Sequence, residues 1–330
     1  MPRLGILVLL VAAGAGAWYF LQHYQVQGLE RVTIKPRAPE PGSPGAPARP
    51  EAELPAVPAG KDTIRIATFN CGPLDQAKLS RPQVLNRLAQ VIRRFDIVAL
   101  QDIQARNQAA VRQLVEQVNA DARHYHYAVA SNVDQDVVHQ FSAFVFDLAT
   151  IQIDRNTVCP VDDPGGRFRH PPLVAAFRAR GPDPTQAFTF TLINVHSEPE
   201  QAATELNLLD DVLRAVRNDG RNEDDIVMLG DLGTDDRHLG ELGGVPNLTC
   251  AVFAMPTTTR GTEATDNLLF DFRATKEFTG RSGVMDLMRE LSLSMQEATE
   301  LSGHLPVWAE FSVYEGGQAG QVASRAEWSR

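Results

Sequence analysis

The sequence predicts an α/β fold in which two packed β-sheets carry helices on their outer faces, in one domain of roughly 250 residues. Three observations lead there. Between Thr63 and Tyr314, strand-like runs outnumber helical ones, and the helical stretches fall between strands and not in a block. With 43% hydrophobic and 22% charged residues in 330, the chain can bury a large core, which excludes disorder throughout, a collagen-like chain and a coiled-coil rod. No internal repeat is present that would make it a solenoid.

In chain order, Ile64 to Phe69 alternates as a strand and breaks at Asn70-Cys71-Gly72-Pro73. Val84 to Phe95 has apolar residues at 84, 85, 88, 91, 92 and 95, the helical period. Asp96 to Leu100 is a buried strand and Ala109 to Val118 a helix. Strand-like runs follow at Tyr127–Ala130, Ser142–Phe146, Leu173–Arg178 and Phe188–Val195. A helix at Ala202–Val216 separates these from Ile226–Leu229, Leu268–Phe272 and Val307–Val313.

The ends of the chain differ in kind. Leu4 to Leu21 is an uncharged apolar run of 18 residues, long enough for one membrane span. Trp18-Tyr19-Phe20 at its end reads as an interfacial belt and favours an uncleaved anchor. The small-residue pairs Ala13/Ala15 and Ala15/Ala17 keep a cleaved signal segment as the rival. From Pro36 to Pro58 there are eight prolines in 23 residues, a composition that builds a stalk. The expected organisation is an anchor or signal segment over 1–22, a stalk over 23–60, the folded domain over 61–315 and a flexible tail over 316–330. The domain is expected outside the cytoplasm, on the membrane or, with cleavage, secreted.

Charge and cysteines bound the function. Residues 1–60 hold five of the 31 basic and four of the 41 acidic side chains, so the remainder carries a net −11. Nucleic-acid affinity rests on neutralising phosphates, so such a domain binds polyanions poorly unless bases or a metal gather at one site. Three scattered cysteines, Cys71, Cys159 and Cys250, make neither a disulfide scaffold nor a zinc ribbon.

The chemistry-bearing motifs stand at strand ends. In order they are Thr68-Phe69-Asn70, Leu100-Gln101-Asp102, Phe168-Arg169-His170-Pro171, Asn194-Val195-His196-Ser197, Leu229-Gly230-Asp231-Leu232-Gly233, Thr265-Asp266-Asn267 and Leu301-Ser302-Gly303-His304. In order and spacing this series resembles the endonuclease/exonuclease/phosphatase superfamily, and within it the DNase I type, across about Thr63 to Tyr314. The family motifs there read Asn after the first strand, Gln-Glu, Arg-Glu-Pro, a Leu-His-Ser-like histidine, Gly-Asp-Phe-Asn, Tyr-Asp and Ser-Asp-His.

The resemblance implies a four-layer α/β sandwich and divalent-metal-dependent phosphodiester hydrolysis, with Mg²⁺ or Mn²⁺ if the site is active and no ion bound if it is not. It assigns catalytic positions to Asn70, His196, Asp231, Asp266 and His304, with Asp266 as the carboxylate partner of His304. Arg169 matches a phosphate-binding base, and Asp102 the metal ligand. Implied partners are a membrane through the N-terminal segment, a phosphate-containing ligand or nucleic acid, and a protein. The other histidines, His23, His124, His126, His139, His170 and His238, show no metal-ligand spacing and are given no chemistry.

Departures from the family pattern weigh as much as the matches. Asp102 replaces the Glu of Gln-Glu, Gly233 the Asn of Gly-Asp-Phe-Asn, and Gly303 the Asp of Ser-Asp-His. Gln140 falls where the DNase I type places the acidic partner of its first histidine. Losing one transition-state donor costs about 10²- to 10³-fold in rate. The sequence therefore favours a catalytically impaired domain that keeps a phosphate- or partner-binding cleft. An active, remodelled phosphodiesterase is the second reading, and a purely structural domain the third.

Overall fold

The computed structural model describes residues 54–130 and 138–319. The expected anchor and most of the expected stalk lie outside the described residues, as does the tail from 320 onward. Among the described residues no helix is long and apolar enough to cross a membrane.

Strands β1 (Thr63–Leu74), β2 (Ile97–Ala105), β3 (Tyr125–Val129) and β4 (His139–Asp147) belong to one sheet with β11 (Phe278–Val284) and β12 (Val307–Ser312). Its order is β11-β12-β1-β2-β4-β3. The second sheet holds β5 (Ile151–Pro160), β6 (Leu173–Ala179), β7 (Thr189–His196), β8 (Ile226–Asp231), β9 (Leu248–Cys250) and β10 (Asp266–Asp271), in the order β5-β6-β7-β8-β10-β9. Both sheets are mixed: β1 runs parallel to β2 and β7 parallel to β8, while the other pairings are antiparallel. Helices α1 (Gln76–Leu79), α2 (Pro82–Ile92), α3 (Ala109–Val118), α4 (Pro199–Arg217), α5 (Leu287–Leu291) and α6 (Met295–Leu301) flank them. The predicted fold class is the observed one.

The period of two in each strand decides the packing. On β1, Ile64 and Ile66 face the second sheet and Ala67 and Phe69 face the helices. On β2, Ile97 and Ala99 face inward and Val98 and Leu100 outward. Phe190 and Leu192 of β7, Val227 and Leu229 of β8, and Leu268 and Phe270 of β10 complete the layer between the sheets. Phe144 and Phe146 meet Phe177 edge-on, with ring centroids 5.3 and 5.8 Å apart. Each such side chain contributes about 1.5–3 kcal/mol, whereas a surface ion pair contributes about 0–1 kcal/mol, so this layer holds the sandwich together.

Several local expectations change. The first strand does not end at Asn70; it continues to Leu74 through a bulge, with Gly72 at φ +63°. Strands β5, β9 and β11 have no counterpart in the apolar pattern. They sit at or next to sheet edges and have polar or glycine-rich sequences, so period-two alternation is weak there. Residues just outside the expected boundaries at 60 and 315 make defined contacts. Arg180 Nη1 donates to the Pro55 carbonyl at 3.1 Å, and Glu315–Gly317 forms a 3₁₀ turn whose Gly316 amide donates to Glu277. Cys71, Cys159 and Cys250 are all free thiols.

Candidate functional site

The inward-facing rows that build the core end in polar residues at one rim of the sandwich. Ile64-Ile66-Thr68 runs on to Asn70, Ile97-Ala99 to Gln101, Phe190-Leu192-Asn194 to His196, Val227-Leu229 to Asp231, and Phe270-Leu268 to Asp266. Strand register aligns them. His196 pairs with Asp231, Asp231 with Asp266, and Asn70 with Gln101. The sheets are tied beneath the rim by Gln101, whose Nε2 donates to Asn194 Oδ1 at 2.7 Å and to Thr68 Oγ1 at 2.9 Å. Both amides are fully buried and bonded, so they fix the spacing of the two sheets at the site.

Asn70, Asp231, Asp266 and His304 join in one network. Asn70 Nδ2 donates to Asp231 Oδ2 at 2.8 Å, and the Gly233 amide donates to Asp231 Oδ1 at 3.0 Å. His304 Nδ1 bonds Asp266 Oδ2 at 2.9 Å, and its Nε2 lies 3.7 Å from Asp231 Oδ2. Thr257 and Thr265 hydroxyls also donate to Asp266 Oδ2, each at 2.9 Å. Burial works against a charged His304, but the bond and charge of Asp266, with Asp231 and Asp102, outweigh it and raise the ring to about 9. His304 is therefore an imidazolium at neutral pH. Burial and the charge of Asp266 push Asp231 up to about 7.

His196 belongs to a second chain of contacts. Gln140 Nε2 donates to Asp102 Oδ1 at 2.8 Å and lies 3.4 Å from His196 Nδ1. A carboxylate only accepts, so Asp102 fixes which end of the Gln140 amide is its NH₂, and that NH₂ also faces the His196 ring. Nδ1 is then the acceptor, and the proton of the neutral ring sits on Nε2. Burial, followed by the charge of His170, lowers His196 to about 4, so the ring stays neutral. His170 stacks on His196 with centroids 4.9 Å apart and bonds Glu198 through Nε2 at 3.3 Å. His170 thus belongs to the site although its spacing gave no sign of it.

Asp102 sits at a bulge of β2 with φ +58°, a conformation that Asp adopts more readily than most residues. Gln104 Nε2 donates to the same Oδ1 at 2.8 Å. Burial raises the Asp102 carboxyl, while the Gln104 bond, Lys78 and His170 oppose that. The buried Lys78 donates to the Cys71 carbonyl, and burial lowers its proton affinity. Arg169 is not drawn into the network. Its guanidinium is half exposed and pairs with Glu198 at 3.2 Å, and its amide donates to Glu205.

The two glycines that replace family residues differ. A Cβ on Gly303 would meet nothing within 4 Å. On Gly233, with φ +65°, it would stand 2.7 Å from the Ser197 carbonyl oxygen and 3.1 Å from Ala202 Cβ. The loop after β8 is thus pressed against the turn before α4, and glycine there is a packing requirement as well as a lost ligand.

The family's metal position is a poor fit for an ion. It keeps one carboxylate, Asp102, whose Oδ1 receives two amide N–H groups, and Gly303 supplies no second carboxylate. Mg²⁺ is usually held by one or two carboxylates with waters and substrate phosphate completing its octahedron, and here the single carboxylate is already engaged by the Gln104 and Gln140 amides. Asp231, Asp266 and His304 have ligand-type atoms within 4.8 Å of one another, but a proton shared with Asp266 already occupies His304 Nδ1. Beside His196 a cleft of about 260 Å³ opens between His139, Gln140, Ser142, Pro160 and His170.

Known proteins resemble this chain in sequence and in fold. Bovine deoxyribonuclease-1 is 24% identical over 263 residues, covering 74% of this chain and 91% of its own. Human deoxyribonuclease-1-like 2 is 25% identical over 278 residues, covering 76% and 92%. Among solved structures, a humanised D. rerio TDP2 superposes with a TM-score of 0.52 at 16% identity, over 76% of this chain and 98% of its own. No family model matches the sequence. The chain has the DNase I-like fold, and over about three quarters of its length its sequence is similar to deoxyribonucleases.

Proposed function

We propose that this chain is a catalytically impaired DNase I-like domain that binds a phosphate-bearing ligand at the sandwich rim that carries His196 and His304. One observation carries the reading: the Asp102–Gln140–His196 chain puts an amide NH₂ where a base-type histidine needs a carboxylate. In-line hydrolysis of a phosphodiester needs one group to take a proton from water and another to give one to the leaving oxygen. His304, already an imidazolium, has no lone pair for a proton. His196 is neutral but presents Nε2–H, with its lone pair turned to Gln140. Both rings can therefore donate to phosphate oxygens, and neither is poised to activate water. Asn70 holds Asp231, and Asp266 holds His304, so the anion meets a fixed surface.

The apolar run 4–21 and the proline-rich segment behind it support placing this domain on a membrane stalk, facing away from the cytoplasm. A second reading, an active phosphodiesterase, is favoured by the Asp231–Asp266–His304 group, which could hold a metal ion once His304 loses its proton.

The pH dependence follows from His304. Its folded value of about 9 lies above the ordinary histidine value of about 6.5. Its contribution to stability is therefore complete below the unfolded value and is lost as pH rises through about 9. Affinity for a dinucleotide phosphodiester, measured by calorimetry, is expected to fall about tenfold or more between pH 7.5 and 10. His304→Gln should be weak at both pH values. Affinity that is flat across this range in the wild type, or unchanged in His304→Gln, would remove His304 from the binding surface.

A further inference from the structure

The opposite end of the second sheet carries a group that the cleft does not use. Asp225 immediately precedes β8, Glu277 precedes β11, and Glu315 opens the 3₁₀ turn after β12. Their carboxylate oxygens lie within 4.8 Å of one another. Asp225 and Glu277 are each 2% exposed, and Asp225 Oδ1 and Glu277 Oε2 are buried and receive no N–H or O–H donor, although the two carboxyls are close enough to bond each other when one is protonated. Parallel β7 and β8 separate this group from His196 and Asp231 by the length of a six-residue strand, about 20 Å.

Backbone contacts fix two of the three side chains. The Gly316 amide donates to Glu277 Oε1 at 2.5 Å, which leaves Oε2 facing the group. The Thr189 amide donates to Glu315 Oε2 at 3.2 Å. The charges acting on Asp225 are those of Glu277, Glu223, Glu315 and Asp224, all carboxylates. An unpaired buried charge is costly, and several together are stable only if protonated or joined by a cation.

We propose that Asp225, Glu277 and Glu315 form a calcium site that clamps the start of β8 to the segments flanking β11 and β12. All donors are hard oxygens, and Ca²⁺ accepts six to eight of them in irregular geometry, where Mg²⁺ demands an octahedron. Burial and the neighbouring carboxylates push both Asp225 and Glu277 up, so without a cation the group holds together only with protons on it. The site joins chain segments 90 residues apart, from 225 to 315, so binding stabilises the folded state by mass action.

Calcium titration of the full chain by calorimetry, paired with thermal unfolding in CaCl₂ and in chelator, tests this. One ion per chain and a higher Tm in calcium are expected. Glu315→Gln should weaken binding tenfold or more, and Asp225→Asn/Glu277→Gln should abolish both effects. Asp231→Asn should keep them, which separates this group from the cleft. Absence of calcium binding by the wild type overturns the proposal even if the double variant fails to fold. So does binding that survives Glu315→Gln at full strength, or that is lost in Asp231→Asn.

Discussion

Supercoiled plasmid DNA incubated with the full chain and Mg²⁺ is expected to remain uncut, while Gln140→Glu/Gly303→Asp is expected to gain cleavage by about 10²-fold or more over the wild type. Glu at 140 would accept a hydrogen bond from His196 Nδ1, moving the ring proton to that nitrogen and freeing Nε2 as a base. It would also place a second carboxylate beside Asp102, where Gln140 now donates at 2.8 Å. Asp at 303 enters open space. Together they return two oxygen donors to the metal position, and their effects need not add. Gly233→Asn is left out because its Cβ would meet the Ser197 carbonyl at 2.7 Å, so reverting every departure would strain the loop that presents Asp231. Robust wild-type cleavage that disappears in His196→Ala would mean the site is remodelled and working.

The largest structural effect is expected from Gly230→Ala. A Cβ there would stand 1.9 Å from the Val195 carbonyl oxygen and 2.9 Å from the Val195 nitrogen. Val195 is its register partner on parallel β7, so neither atom can yield without opening the two strands that set His196 against Asp231. The cost is expected to exceed about 4 kcal/mol, in the range reserved for broken backbone packing. At about 2–4 °C per kcal/mol for a domain of this size, Tm should fall by roughly 10 °C or more. Gly303→Ala, facing open space, should stay within about 0.5 kcal/mol of the wild type. Equal melting of the two variants would contradict the packing argument.

What could be read beforehand follows from how strongly each feature is written into local pattern. The core strands were legible because Ile64 and Ile66 keep a period of two, while β7 and β8, buried along their whole length, stand out as largely apolar runs. That same period, carried one step further, points Asn70, His196 and Asp231 into the rim, which is why motif order located four of the network's members. Arg169 matched a motif yet turns to Glu198, because a loop base follows the nearest carboxylate. His170 stands within the Arg169-His170-Pro171 motif but reaches the site by stacking, which leaves no ligand spacing, and Lys78 comes from a four-residue helix capped by Asp75 and leaves no signal at all. Gln140 was noticed as a substitution, but its consequence depends on Asp102 fixing the amide, a contact across 38 residues. Gly233 looked like a deleted ligand and turned out to be a close approach as well.

The central claim is that His196 and His304 at the sandwich rim hold the wrong protons for hydrolysis, and long-range ¹H–¹⁵N spectra of the histidine rings measure this directly. The expected result is a neutral His196 protonated at Nε2 from pH 5 upward, beside a His304 that remains an imidazolium at pH 7 and loses its proton near 9. His196 protonated at Nδ1 with a free Nε2 at neutral pH would contradict the account, because that ring is a competent base.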